Sequence, residues 1–186
     1  MSFFRYFGGE GSTGKDSSLS DKLKAIGGTS DRSSSGVNIT ETAKRLKVNP
    51  RTVRGWLNEG KNPSPKSAKR VTTLARNAER TKAGRKAAVE RAKQRGTFSG
   101  VTSVSISGMQ GPARSGRDYA RERTITIDAT DGLTPADIEA LQEAYINGGD
   151  AAVDAEIRDM TGRLYLNGWG VESYGDRQGS DWLEWK

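Results

Sequence analysis

The sequence predicts an α+β protein in two parts: an N-terminal helix-turn-helix domain running into a long basic helix, then a small ββααββ-like domain. Three observations carry this reading. Residues 39–57, ITETAKRLKVNPRTVRGWL, read as two short amphipathic helices joined by a tight turn. After Gly96 the apolar period changes from helical to alternating. The charge also divides: residues 1–123 hold 26 basic and 10 acidic side chains, residues 124–186 only 4 basic and 13 acidic. The implied boundaries are 1–36 for a flexible segment with one short helix, 37–95 for the helix-turn-helix and its basic arm, and 96–186 for an acidic α+β domain.

MSFFRYF is aromatic but too short to anchor in a bilayer, so it is expected to dock on a neighbouring surface. The following GGEGSTGKDSS approaches a phosphate loop with Gly9, Gly14 and Lys15, but Asp16 stands where a magnesium-binding Ser or Thr is needed, which leaves a linker. Leu19, Leu23 and Ile26 recur at helical spacing, with Ser20 as candidate cap and Gly27–Gly28 as stop. A serine-rich loop, 30–36, leads into the motif.

In the motif, Ala43, Leu46, Val48, Val53, Trp56 and Leu57 are expected to pack, and Trp56 is assigned to the core. Asn49 can cap the second helix, and Pro50 fits its first position, where the missing N–H would be unpaired anyway. Arg51, Thr52 and Arg54 then lie on the exposed face, where such side chains reach base edges and phosphates. From Pro65 to Gln94 a continuous basic helix is expected, interrupted only by Gly84. Lysine and arginine outnumber acids 11 to 2 over residues 65–95, unlike a balanced solvent-facing surface, so phosphate contact is the reading; Lys61, Lys66 and Arg70 are its candidates. Val71, Leu74 and Ala78 are expected to dock the first half of this helix. The second half, with Val89 its one large apolar residue, is expected to order on DNA or on the C-terminal part.

In the acidic part, Val101, Val104 and Ile106 mark one strand and Ile125 and Ile127 a second, with 108–123 between them as a loop. LTPADIEALQEAYINGG opens with Thr134 as cap, Pro135 and a capping-box Asp137, and its buried stripe is Ile138, Leu141 and Tyr145. Asp150 can cap a further helix bearing Val153, Ile157 and Met160. RLYLNGWGV and DWLEWK read as closing strands.

The chain has no cysteine and no histidine. Disulfides, thiolate zinc sites, thiol nucleophiles and the Ser-His-Asp triad are therefore excluded. No cofactor is implied. Asp128 and Asp131 could hold magnesium, but two acids in a turn more often cap or solubilise, and no metal site is assigned. No apolar run is long enough to cross a bilayer, so a cytoplasmic, nucleoid-associated protein without membrane contact is expected. The acidic part is expected to meet protein partners or to self-associate.

The layout resembles the terminal proteins that cap linear replicons of Streptomyces and its relatives. The resemblance rests on AKRLKVNPRTVRGWL, the basic run through RKAAVERAKQRG, a short β segment, LTPADIEALQEAYINGG, and the closing RLYLNGWGV and DWLEWK. It covers most of the chain after Asn38; the N-terminal linker and serine-rich loop depart from the family. It implies a protein that binds the single-stranded 3′ overhang of telomere ends, is joined covalently to the DNA 5′ end, and primes end replication with a hydroxyl. The implied partners are a telomere-associated protein and a DNA polymerase. The chain would then be a protein primer, a substrate of the polymerase and not a stand-alone enzyme. Ser115 is the closest positional match for the linked hydroxyl. Tyr119 is its rival and Thr124 ranks third, within the arginine-rich surroundings of Arg114, Arg117, Arg121 and Arg123. The alternative is a helix-turn-helix transcriptional regulator or plasmid replication initiator that binds duplex DNA without covalent attachment. An accessory protein of a conjugation or partition complex is a third class.

Overall fold

The computed structural model describes residues 3–11, 17–112, 120–174 and 183–186. The chain is α+β and divides into two compact units, Ser2–Gln94 and Arg95–Lys186. Seven α-helices and one four-stranded antiparallel sheet are found among the described residues.

The first unit is helical: α1 (Leu19–Gly27), α2 (Ile39–Leu46), α3 (Pro50–Asn58), α4 (Pro65–Arg80) and α5 (Lys82–Gln94). Each of the first four starts where a short polar side chain satisfies a free backbone N–H. Ser18, not the expected Ser20, caps α1 by accepting from the Asp21 N–H. Asn38 accepts from Glu41, Asn49 from Arg51 and Ser64 from Ser67. Pro50 and Pro65 open α3 and α4. The turn between α2 and α3 passes through Lys47, a left-handed residue at φ 51°.

Helix α1 packs on α2 and α4, burying Leu23, Ile26, Ala43, Leu46, Val71 and Ala75. At the end of α1 the two backbones nearly touch: a Cβ on Gly27 would overlap Thr42, whose backbone nitrogen lies 2.7 Å from that point. Val53 is fully buried, but Trp56, Leu57 and Val48 are only half-buried. Among the described residues, helix α3 packs chiefly on α2, so its apolar stripe is covered mainly on that side.

The basic arm is not one helix. It breaks at Thr81, which takes an extended conformation, returns its N–H and hydroxyl to the Asn77 carbonyl, and accepts from the Gly84 N–H with the same hydroxyl. One residue thus closes α4 and opens α5. Gly84, expected as the interruption, lies inside α5 where it crosses α4. A Cβ there would overlap the Asn77 carbonyl oxygen and stand 2.7 Å from the Cα and O of Ala78.

Helix α5 is also packed within its own unit. Ala88, Val89 and Ala92 are fully buried, and Gly8 comes against Ala88 and Ala92. Phe3, Phe4 and Phe7 are buried. Residues 3–11 and 17–36 therefore belong to the helical unit, where a flexible segment was expected. The Glu10 carboxylate accepts from the Thr29 N–H, and Thr29 bridges Val37.

The second unit holds β1 (Ser103–Pro112), β2 (Arg121–Asp128), α6 (Pro135–Gly148), α7 (Asp150–Met160), a π-helical turn (Thr161–Tyr165), β3 (Trp169–Tyr174) and β4 (Leu183–Trp185). Strand β1 is central. β2 runs along one edge, while β3 pairs with Gly108–Pro112 and β4 with Val104–Ile106 on the other. The register sets Val104 opposite Ile127 and Ile106 opposite Ile125 on the buried face. On the other face, hydroxyls pair across the strands: Ser105 with Thr126 at 2.9 Å and Ser107 with Thr124 at 2.7 Å.

The buried Gln110 closes this sheet internally. Its amide donates to the carbonyls of Ile106 (2.9 Å) and Arg123 (2.8 Å) and accepts from the Trp169 indole N–H at 3.2 Å. Helix α6 buries Ile138, Leu141, Tyr145 and Ile146, and α7 buries Val153, Ile157 and Met160. Asp137 accepts from both the N–H and the hydroxyl of Thr134. Boundaries around α7 differ from the sequence reading. Gly149, not Asp150, is the cap of α7. Arg163–Tyr165 is not strand, because the Leu166 N–H bonds back to the Thr161 carbonyl and extends α7 by a π-turn. No helix among the described residues is long and apolar enough to cross a membrane.

Candidate nucleic-acid interface

The candidate surface is the outward face of α3. Val53 turns inward toward α2, which forces Arg51, Arg54 and Asn58 outward, because positions three, four and seven apart share a helix face. Thr52 is exposed beside them. The Asn49 cap and Pro50 hold the first turn rigidly, so Arg51 and Thr52 project from a fixed helix start. Neither the Thr52 hydroxyl nor the Arg54 guanidinium makes a hydrogen bond or ion pair among the described residues.

The phosphate candidates divide. Lys66 and Arg70 are exposed one turn apart on α4 and carry no ion pair among the described residues. Lys61 is 69% exposed but holds the Glu59 carboxylate at 2.7 Å. That bond keeps the Glu59 carboxyl below its usual range, and in return screens the lysine from a second anion. Arg45 is likewise engaged with Glu41 at 2.8 Å, and the bond lowers the Glu41 carboxyl. Arg85 turns inward and donates to the Arg80 carbonyl at 2.8 Å, satisfying the C-terminal end of α4. The basic charge of this unit is therefore only partly available to a ligand.

Beside α3, a polar cleft of about 530 Å³ opens between Arg54, Asn58, the start of α2 and the serine-rich loop. Sequence reasoning passed over this loop. Its signal was Arg32 among four serines, but nothing local says that it folds against α3.

In the second unit, the described part of the loop expected over 108–123 is mostly strand. Gly108–Pro112 lies in β1 and Arg121–Arg123 in β2, since β1 finds partners on both edges. Ser115 and Tyr119, with Arg114 and Arg117, lie outside the described residues. Thr124 is on β2 with its hydroxyl bonded to Ser107. The Arg123 guanidinium stacks over the Trp169 ring, 5.3 Å from its centre. Asp128 accepts from the Thr130 N–H (2.7 Å) and hydroxyl (2.6 Å), which lowers its carboxyl, while Asp131 accepts from the Asp128 N–H. Both acids thus serve the turn after β2.

Comparison of the chain with protein-family models, curated proteins and solved structures gave no match.

Proposed function

We propose that the chain is a DNA-binding protein whose α2–turn–α3 segment acts as a helix-turn-helix, with α3 as the helix that enters the major groove. The carrying observation is the α3 face itself. Arg51, Thr52 and Arg54 project together from a rigidly capped helix, in a unit with 21 basic and 8 acidic side chains. Base edges are read by such side chains, while Lys66 and Arg70 contact phosphates.

The more specific reading is a terminal protein of a linear replicon. It caps telomere ends together with a telomere-associated protein and presents a hydroxyl to a DNA polymerase. That hydroxyl attacks the α-phosphorus of a deoxynucleoside triphosphate, forms the protein–nucleotide phosphodiester and releases pyrophosphate. The polymerase supplies the metal ions, so a chain without histidine or cysteine suffices as substrate. Ser115 is the first candidate and Tyr119 the second. The alternative remains a non-covalent regulator or replication initiator.

Two experiments test this. Replacing Arg51 and Arg54 together by alanine should remove most affinity for DNA in fluorescence anisotropy; unchanged binding would reduce α2–α3 to a structural hairpin. Labelling by a radioactive deoxynucleotide, with polymerase and partner present, should persist through gel denaturation and disappear in Ser115→Ala. Labelling lost only in Tyr119→Phe moves the link there, and no labelling under any condition removes the priming role.

A further inference from the structure

The cleft beside α3 has a composition that the reading of α3 does not use. Arg32, Ser33 and Ser34 of the loop face Thr40 at the start of α2, with Arg54 and Asn58 of α3. Among the described residues, no carboxylate lines it. The Arg32 and Arg54 side chains make no hydrogen bond or ion pair among the described residues. Two unneutralised guanidinium groups in one concavity repel each other, and the lining offers nothing anionic to offset them. An oxyanion would be held by both, with hydroxyl and amide donors around it.

The loop is built to hold this shape. Thr29 bridges Val37, the Ser30 N–H donates to the Gly36 carbonyl at 3.1 Å, and the Asn38 N–H donates to the Gly28 carbonyl at 2.9 Å. Inside that ring, the Ser33 N–H bonds the Ser30 carbonyl and the Gly36 N–H bonds the Ser33 carbonyl, at 3.1 and 2.8 Å. The fully buried Val37 anchors the base. A donor-lined seat fixed in this way loses little entropy when an anion arrives.

We infer that the loop spanning 29–37, with Arg54, is a phosphate clamp that grips the DNA backbone bordering the groove entered by α3. This rests on the DNA-binding reading and deepens it. Arg54 is thereby moved from base reader to backbone contact, leaving Arg51 and Thr52 to face the bases. A helix in the major groove is rimmed by sugar-phosphate strands, and a donor-lined cleft beside that helix meets one of them.

The test uses the full chain and labelled duplex, with affinity measured against salt. Each neutralised phosphate contributes a slope of about 0.9 in log K against log salt. Arg32→Ala should lower the slope by about one unit and weaken binding on the order of fivefold at 0.15 M salt, by the same factor on unrelated sequences. Arg32→Lys should restore most of the slope. The Ser33 and Ser34 amide resonances should shift with duplex and only weakly with inorganic phosphate. If wild-type protein binds duplex and Arg32→Ala keeps the same slope, the clamp is refuted while the DNA reading stands. If inorganic phosphate saturates those resonances and duplex leaves them unmoved, the cleft is a free-phosphate site and the clamp is likewise refuted. If wild-type protein binds no duplex even at low salt, the DNA reading falls and the clamp falls with it.

Discussion

Gly84→Ala is the substitution on which local and tertiary reasoning disagree in sign. Within a helix, alanine is favoured over glycine by about 0.8–1.0 kcal/mol, so a solvated basic helix interrupted by Gly84 would gain stability. In the structure the added Cβ overlaps the Asn77 carbonyl oxygen and lies 2.7 Å from the backbone of Ala78. These are main-chain atoms of α4, held by its own hydrogen bonds, and they cannot rotate away as a side-chain tip would. Overpacking costs about 1–3 kcal/mol, and an overlap with fixed main chain falls in the upper part of that range, about 2–3 kcal/mol, so the net expectation is a loss of about 1–2 kcal/mol after the helix gain is subtracted. For a unit of this size that lowers Tm by about 5–15 °C. Calorimetry on the full chain reads the change. Lys86→Ala, at an exposed site of the same helix, serves as control and should move Tm by little. A Gly84→Ala protein with unchanged or raised Tm would refute the close α4–α5 crossing and return the arm to a single extended helix.

Three further substitutions follow from the same geometry. Gln110→Ala removes the acceptor of the Trp169 indole N–H and the donor to two strand carbonyls. A loss of about 2–4 kcal/mol in urea unfolding is expected from buried unsatisfied groups and the cavity, and a loss under 1 kcal/mol would deny Gln110 its place in the core. Partial burial raises the Asp137 carboxyl, but hydrogen bonds from Thr134 and Arg163 outweigh it and hold the group below its usual range. A depressed folded pKa adds stability that is present above the unfolded value, about 3.9, and is lost as pH falls through the folded one. Asp137→Asn should therefore destabilise at neutral pH and approach wild type below that window; a constant difference at all pH values would contradict the argument. Lys47→Gly relieves a left-handed lysine at the α2–α3 turn, offset in part by the greater freedom of glycine when unfolded. It should raise stability by about 0.5 kcal/mol in the same denaturation assay, and a loss would show that Lys47 is held there by contacts beyond its own backbone.

The sequence by itself determined the features whose physics acts within about four residues. The caps at Asn49–Pro50 and Thr134–Pro135, the buried stripe of α6 and the outward face of Arg51, Thr52 and Arg54 all depend on side chains one turn apart. So does the alternation of Ile125 and Ile127, which needs only the pleat of a strand. What the tertiary structure decided lies in pairings between distant segments. Gly108–Pro112 reads as loop because glycine and proline are poor strand formers, yet it is strand because β3 pairs along it and β2 pairs with Gly108–Gln110 on the other edge. The break at Thr81, and the role of Gly84 as a close-contact residue, depend on α5 turning back to cross α4. Phe3, Phe4 and Phe7 could be expected to dock, but not which surface would cover them. The cleft beside α3 is the same case. Arg32 and Arg54 stand 22 residues apart in the chain, and it is the Thr29–Val37 bridge with the backbone bonds around it that folds the serine-rich loop back to face α3.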